Sequence, residues 1–203
     1  MALGLQFVFA KVMKSLKEVL NENCGPSIIW TIGHSTRPLD EFKDILRAHS
    51  IDTLVDVRSF PGSRRYPHFN KAELTRSLEL SGIVYLHLPQ LGGRRKTSAA
   101  SRNMAWRNAS FRGYADHMAS DEFQEGIKAL LEVSHGNRTT VMCAEALWWR
   151  CHRSLIADFL KSTGYEVIHI RDAEHTETHP YTSAARIVDG RLSYEGLLVE
   201  EGG

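Results

Sequence analysis

Between Cys143 and Arg153 the chain places two thiols (Cys143, Cys151), a carboxylate (Glu145), an imidazole (His152) and two guanidiniums (Arg150, Arg153). An apolar run ending at Met142 precedes them and a helix-like run from Ser154 to Lys161 follows. A plain connecting loop needs none of that chemistry. In an open α/β sheet, the end of a strand just ahead of a helix is where ligands bind. A following helix N-terminus would lower the pKa of the Cys143 thiol, and Arg150 would face an anion, the layout of cysteine phosphatases and sulfurtransferases. Six residues separate Cys143 from Arg150, one more than the phosphatase loop has, so that pattern fails on spacing. The other reading of Cys143 is a buried, inert thiol closing its apolar run. Glu145 is placed to act as a general base or to hold a ribose or base edge, or else to pair with Arg150 or Arg153. His152 is a second group for proton transfer. Cys143, Cys151 and His152 are also donors for zinc or iron, with His34 or His87 to add. Their spacing fits no structural zinc signature and the local set stops at three, so no metal is expected.

Three more segments carry similar residue types. Gly33-His34-Ser35-Thr36 ahead of a helix offers hydroxyls and backbone N–H groups to an anion, or is an ordinary helix cap. Asp56 and Arg58 either serve a ligand or pair with each other. Arg64 and Arg65, and Arg94 and Arg95 after Gly92-Gly93, have guanidinium donors that match phosphate or carboxylate bidentately. His87 ends another apolar run. Trp106, Trp148, Trp149 and Tyr66 are available to stack on a base, or to pack as an aromatic lid.

The elements that must hold these residues are legible from period and breakers. Strands are expected over 27–32, 52–57, 83–88, 138–143 and 165–170. Helices are expected from 39, from 70 to 80, from 111 to 133 with a break near Ser120-Asp121 and Asp121 as the new cap, and from 151 to 163. Ser35 or Thr36 would cap the first of these helices, and Asn70 with Glu73 would form a capping box. Residues 89–110 form a long loop rich in Gly, Arg and Ser, and 175–180 is irregular. Asp189-Gly190 between two short runs signals a primed hairpin turn. Strand and helix alternate, which predicts an α/β fold: three layers around a mainly parallel, Rossmann-like, doubly wound sheet of about five strands, plus an N-terminal helix and a C-terminal hairpin. Residues 1–26 form a helical extension and linker, and 27–203 a single domain. Under this assignment the loops after four strands open on one sheet edge. The opposite-edge turns carry little chemistry.

A net charge of +1 over 203 residues excludes bulk attraction to nucleic acid or to membranes, but arginines clustered in loops still make a locally positive cleft. Three cysteines are too few and too odd in number for a disulfide framework, which points to free thiols in a cytoplasmic protein. No apolar run is long enough to span a membrane.

Taken together, Thr31-Ile32-Gly33-His34-Ser35-Thr36-Arg37, Leu54-Val55-Asp56-Val57-Arg58, Ser63-Arg64-Arg65, Leu91-Gly92-Gly93-Arg94-Arg95, Phe111-Arg112-Gly113-Tyr114-Ala115, Met142-Cys143-Ala144-Glu145 and Cys151-His152-Arg153-Ser154 resemble the domain-of-unknown-function 488 family. The resemblance covers about residues 27–170. It implies an α/β fold and a soluble protein, and it supplies no reaction, cofactor or residue roles. The expected function is an enzyme acting on a nucleotide, nucleoside or other small anionic ligand. Arg58, Arg64, Arg65, Arg94, Arg95, Arg150 and Arg153 would hold the anion with His34, Ser35, Thr36, Asp56 and His87. Glu145 or His152 would move protons, and Cys143 would be the nucleophile. The alternatives are a nucleic-acid-binding module and a Cys/His metal- or redox-sensing protein. The sequence leaves the cofactor and the oligomeric state open.

Overall fold

Short runs rich in Ile, Val, Leu and Thr suit a pleated, buried surface. Five of them form parallel strands: Ile28–Gly33 (β1), Thr53–Asp56 (β2), Val84–His87 (β3), Thr139–Cys143 (β4) and Glu166–Ile170 (β5). The computed structural model describes residues 27–196. The expected N-terminal helix lies outside them. Helices Leu39–Ala48 (α1), Lys71–Glu79 (α2), Ala109–His117 (α3), Asp121–Ser134 (α4) and Arg153–Ser162 (α5) connect the strands. Thr176–Thr178 (β6) adds an antiparallel edge to β5, where the sequence suggested irregular chain. Arg186–Val188 (β7) and Arg191–Ser193 (β8) form the predicted hairpin, with Asp189 and Gly190 both at positive φ as a primed turn requires.

The sheet order is β3-β2-β4-β1-β5-β6. Strand pleating sends alternate residues to opposite faces. Trp30, Ile32, Leu54 and Met142 meet Phe42 and Leu46 of α1 and Leu74 and Leu78 of α2 on one face. Ile29, Val55 and Val141 meet Tyr114 of α3, Phe123 and Leu130 of α4, and Leu155 and Phe159 of α5 on the other. The three layers and the mostly parallel sheet are those the sequence predicts. The crossovers through α1 and α2 travel one way along the sheet and the later ones travel back. A constant right hand therefore puts the two groups of helices on opposite faces. The chain leaving β4 turns to the face opposite from the chains leaving its neighbours β1 and β2. A crevice opens at such a reversal, outside the carboxyl ends of the strands.

Three helix starts differ from expectation. The N-cap position of α1 is Pro38, with no side-chain cap, so neither Ser35 nor Thr36 serves there. Asn70 precedes α2, but its side-chain oxygen accepts from the Ser63 N–H instead of capping the helix. Ser120, not Asp121, caps α4 by accepting from Phe123 N–H. The long 89–110 segment is fixed to α3 by Asp116, which accepts from Ser98 N, Ser101 Oγ and Asn103 Nδ2.

Candidate active site

Gly33 ends β1 so close to the chain after β4 that a β-carbon there would overlap the Glu145 carbonyl. The ladder continues past it: His34 and Ser35 donate their N–H groups to the Cys143 and Ala144 carbonyls, at 3.0 and 2.9 Å. Those two amides are consumed and cannot serve the anion cradle that the sequence suggested for the Gly33–Thr36 loop. It presents the Ser35 and Thr36 hydroxyls to a cleft of about 860 Å³ at the β4 crevice. Small-molecule sites span roughly 300–1,000 Å³.

The cleft floor is built from buried groups. Arg58 is held by a bidentate ion pair with Asp56, with contacts of 2.6 and 2.9 Å, and donates to the Phe69 carbonyl. Tyr85 donates to the same carboxylate at 2.7 Å. His34 stacks on Phe69 at 4.1 Å between ring centres. Its Nδ1–H donates to the Ser35 carbonyl, leaving Nε2 to accept from Arg58 at 3.3 Å. Burial, and then the Arg58 charge, lower the His34 pKa to about 4, so the ring is neutral near pH 7. His87 lies outside the cleft lining; its Nε2–H donates to the Arg58 carbonyl, which makes it a support.

Beside this pair are Cys143, Cys151 and His152, whose S and N donor atoms all lie within 4.8 Å of one another. All three line the cleft. His152 Nε2–H donates to the Val57 carbonyl at 3.3 Å, which turns Nδ1 toward Cys151 Sγ at 3.7 Å. Gly93 packs on the same ring: a β-carbon there would lie 2.8 Å from His152 Nδ1. Arg153, only 1% exposed, donates to Cys151 Sγ at 3.5 Å and otherwise touches the Thr31 hydroxyl and the Glu145 and Ala146 carbonyls. No carboxylate pairs with it among the described residues. An arginine does not give up its proton, and burying its charge without a partner is costly. Among the described residues, Cys151 Sγ is the group within the hydrogen-bonding reach of Arg153 that can take a negative charge. Burial alone would raise the Cys151 pKa. The Cys143 hydrogen bond and the His152 and Arg153 charges outweigh it and pull the thiol well below its usual range. Cys143 moves the opposite way, raised first by its hydrogen bond to Cys151 and then by burial. The sulfur that Arg153 and His152 contact is Cys151, not the Cys143 that the sequence offered as nucleophile. The sequence missed this because the deciding group, Arg153, looked like an anion-binding residue.

The mouth carries Arg65, Arg94 and Arg150, all lining the cleft, none with a carboxylate in ion-pair range among the described residues. Glu145 is exposed at the rim and makes neither expected ion pair; Arg153 takes its backbone carbonyl instead. Other expected anion ligands are elsewhere. Arg64 is exposed outside the lining, and Arg95 turns away to Glu122 at 2.9 Å and to the Gly92 carbonyl. Asp56 is sealed under Arg58. The lining also contains Phe60, Tyr66, Phe111 and Tyr114; the sequence offered Tyr66 for stacking, Phe111 and Tyr114 within a family motif, and Phe60 not at all. The indoles are mostly packed: Trp106 on Phe111, and Trp148 face to face with His169 at 4.4 Å. As for metal, the thiol pair and His152 form a soft donor set open to the cleft. A dication there would compete with the fixed Arg153 guanidinium for the same sulfur.

These features define a doubly wound α/β protein with an arginine-rimmed, cysteine-floored cleft at the reversal point of its sheet. The chain belongs to the family described as domain of unknown function DUF488, which matches residues 38–160. No curated protein and no solved structure matches the chain. The family match spans α1 through most of α5 and so includes every cleft residue except those of the 33–37 loop.

Proposed function

We propose that this protein is an enzyme for a small anionic, nucleotide-like or otherwise phosphorylated ligand, with Cys151 as nucleophile. One observation carries the reading: three guanidiniums, Arg65, Arg94 and Arg150, without carboxylate partners among the described residues, line a cleft floored by a thiol whose buried neighbour Arg153 needs it ionised. The rim arginines would hold the anion. The Cys151 thiolate would add to an electrophilic centre of the ligand, and the departing group would take its proton from His152, 3.7 Å from the sulfur. Arg58 and neutral His34 supply fixed donors and dipoles beside the reacting centre. Base stacking on tryptophans finds no support in the cleft, which contains none of the indoles.

Calorimetric titration with inorganic phosphate and with mononucleotides tests the anion site. The expected result is binding that weakens at least tenfold when Arg65→Ala and Arg94→Ala are combined. Absence of heat and of any melting-temperature shift across the whole panel would remove the ligand class.

A further inference from the structure

Behind Arg153, four buried side chains continue away from the cleft. Arg153 Nη1 donates to Thr31 Oγ1 at 3.4 Å, and Thr31 Oγ1 is 2.6 Å from His169 Nδ1. His169 Nε2 lies 2.9 Å from His179 Nδ1, and His179 Nε2 lies 3.0 Å from Asp158 Oδ1. Thr31, His169, His179 and Asp158 are each at most 1% exposed. They come from β1, β5, the segment after β6, and α5. We propose that these four residues form a one-directional hydrogen-bond chain that fixes Arg153 against Cys151, making them positioning residues for the thiolate of the cleft. The inference rests on the reading of Cys151 given above.

Donor and acceptor counting sets the direction. Every other contact to Asp158 comes from a donor: Thr182 N at 2.9 Å, Thr182 Oγ1 at 2.6 Å and Tyr194 OH at 2.8 Å. Burial first, and then the Asp158 charge, hold the Tyr194 phenol well above its usual range, so it keeps its proton to donate. An acceptor-only Asp158 requires His179 to carry its proton on Nε2. His179 Nδ1 must then accept from His169 Nε2–H, and His169 Nδ1 must accept from the Thr31 hydroxyl. The Thr31 oxygen is left with a lone pair aimed at Arg153. Each link has one proton and one direction, with His169 neutral. Burial, His179 and Arg153, in that order, push the His169 pKa far down, which agrees. The chain thus runs from a buried guanidinium to a buried carboxylate across the middle of the protein. Its far end is the fixed charge that lets Arg153 remain in place when Cys151 gives up its negative charge to a ligand. Trp148 seals it, stacked on His169 and edge-on to His179.

Charged and titratable groups meet Cys151 from several elements: Cys143 from β4, which itself faces Arg58 after β2, Tyr114 from α3, His152 and Arg153 at the start of α5, and His169 from β5. Only Arg153 and His169 belong to, or touch, the chain. Thr31→Val keeps the side-chain shape and cuts it. The experiment is the pH dependence of iodoacetamide alkylation of the full chain, resolved for Cys151 against Cys143 and Cys24 by peptide mass, without phosphate or sulfate. Wild type should titrate well below an ordinary thiol. Thr31→Val should move the midpoint up by about one unit, roughly a tenfold lower rate below both midpoints, and Thr31→Ser should restore it. If Thr31→Val does not fold, Tyr194→Phe or His179→Asn should show the same direction. An ordinary wild-type midpoint overturns the thiolate reading itself. A low wild-type midpoint left unmoved by every folded chain variant overturns the chain alone. Nitrogen-15 spectra give an independent check: His169 and His179 should both carry their proton on Nε2. Any Nδ1–H form contradicts the direction.

Discussion

At the residue scale, the division of labour among arginines decides what the site can do. Arg58 pairs with Asp56, Arg95 with Glu122, and Arg153 donates to the Cys151 sulfur, while Arg65, Arg94 and Arg150 line the cleft with no carboxylate in ion-pair range among the described residues. Seven arginines were anion-binding candidates from their spacing alone, because a guanidinium's partner depends on long-range packing that local sequence does not encode. The second consequence concerns Gly93. It sits at the edge of the His152 ring, with no room for a methyl group. Gly93→Ala should push the imidazole off Cys151 and slow Cys151 alkylation at neutral pH several-fold. The cost in stability should be about 1–3 kcal/mol, as for other overpacked positions. Alkylation kinetics with a denaturant melt check both halves; an unchanged alkylation rate would detach His152 from the thiol.

At the element scale, strand and helix identities were readable because each element has a clear period. The five parallel strands are short β-branched or Leu-rich runs, and α1, with Phe42, Ile45 and Leu46 buried, repeats at helical spacing. The hairpin was readable because Asp189-Gly190 has few conformations open to it. Caps were less legible. Asn70 has the right chemistry but is claimed by Ser63, and Ser120 takes the place assigned to Asp121 because it lies one residue outside the first turn. The strand β6 escaped notice because Thr176–Thr178 is short and polar, and pairs only because β5 offers an edge. Of the site, the loops after β1, β2 and β4 were legible as chemistry-bearing. His87 was misassigned because a strand-end position does not say which side of the sheet edge a side chain takes. The chain from Thr31 to Asp158 was not legible at all: its members lie as much as 148 positions apart (31 to 179) and touch only in the folded core.

At the scale of the whole molecule, the buried histidines make folding sensitive to acid. His34 titrates near 4 and His169 lower still, against about 6.5 for the unfolded chain. Between those limits the unfolded chain binds protons that the folded one does not. Stability is therefore full above pH 6.5 and falls as pH drops toward 4, by about 1.4 kcal/mol per pH unit for each histidine. Denaturant melts at pH 7, 5.5 and 4.5 should show this loss, and a flat profile would mean that neither ring is held neutral by burial. Under the proposed function the same architecture brings a reactive sulfur and the rim arginines to one opening, and a pair of alkylating reagents reads both at once. Iodoacetate is an anion and iodoacetamide is neutral, with the same reacting carbon. Iodoacetate should modify Cys151 faster relative to iodoacetamide than it modifies a free thiol, and the triple change Arg65→Ala, Arg94→Ala, Arg150→Ala should abolish that preference. Equal or greater preference for the neutral reagent in the unaltered protein would contradict an anion-attracting thiolate at this cleft.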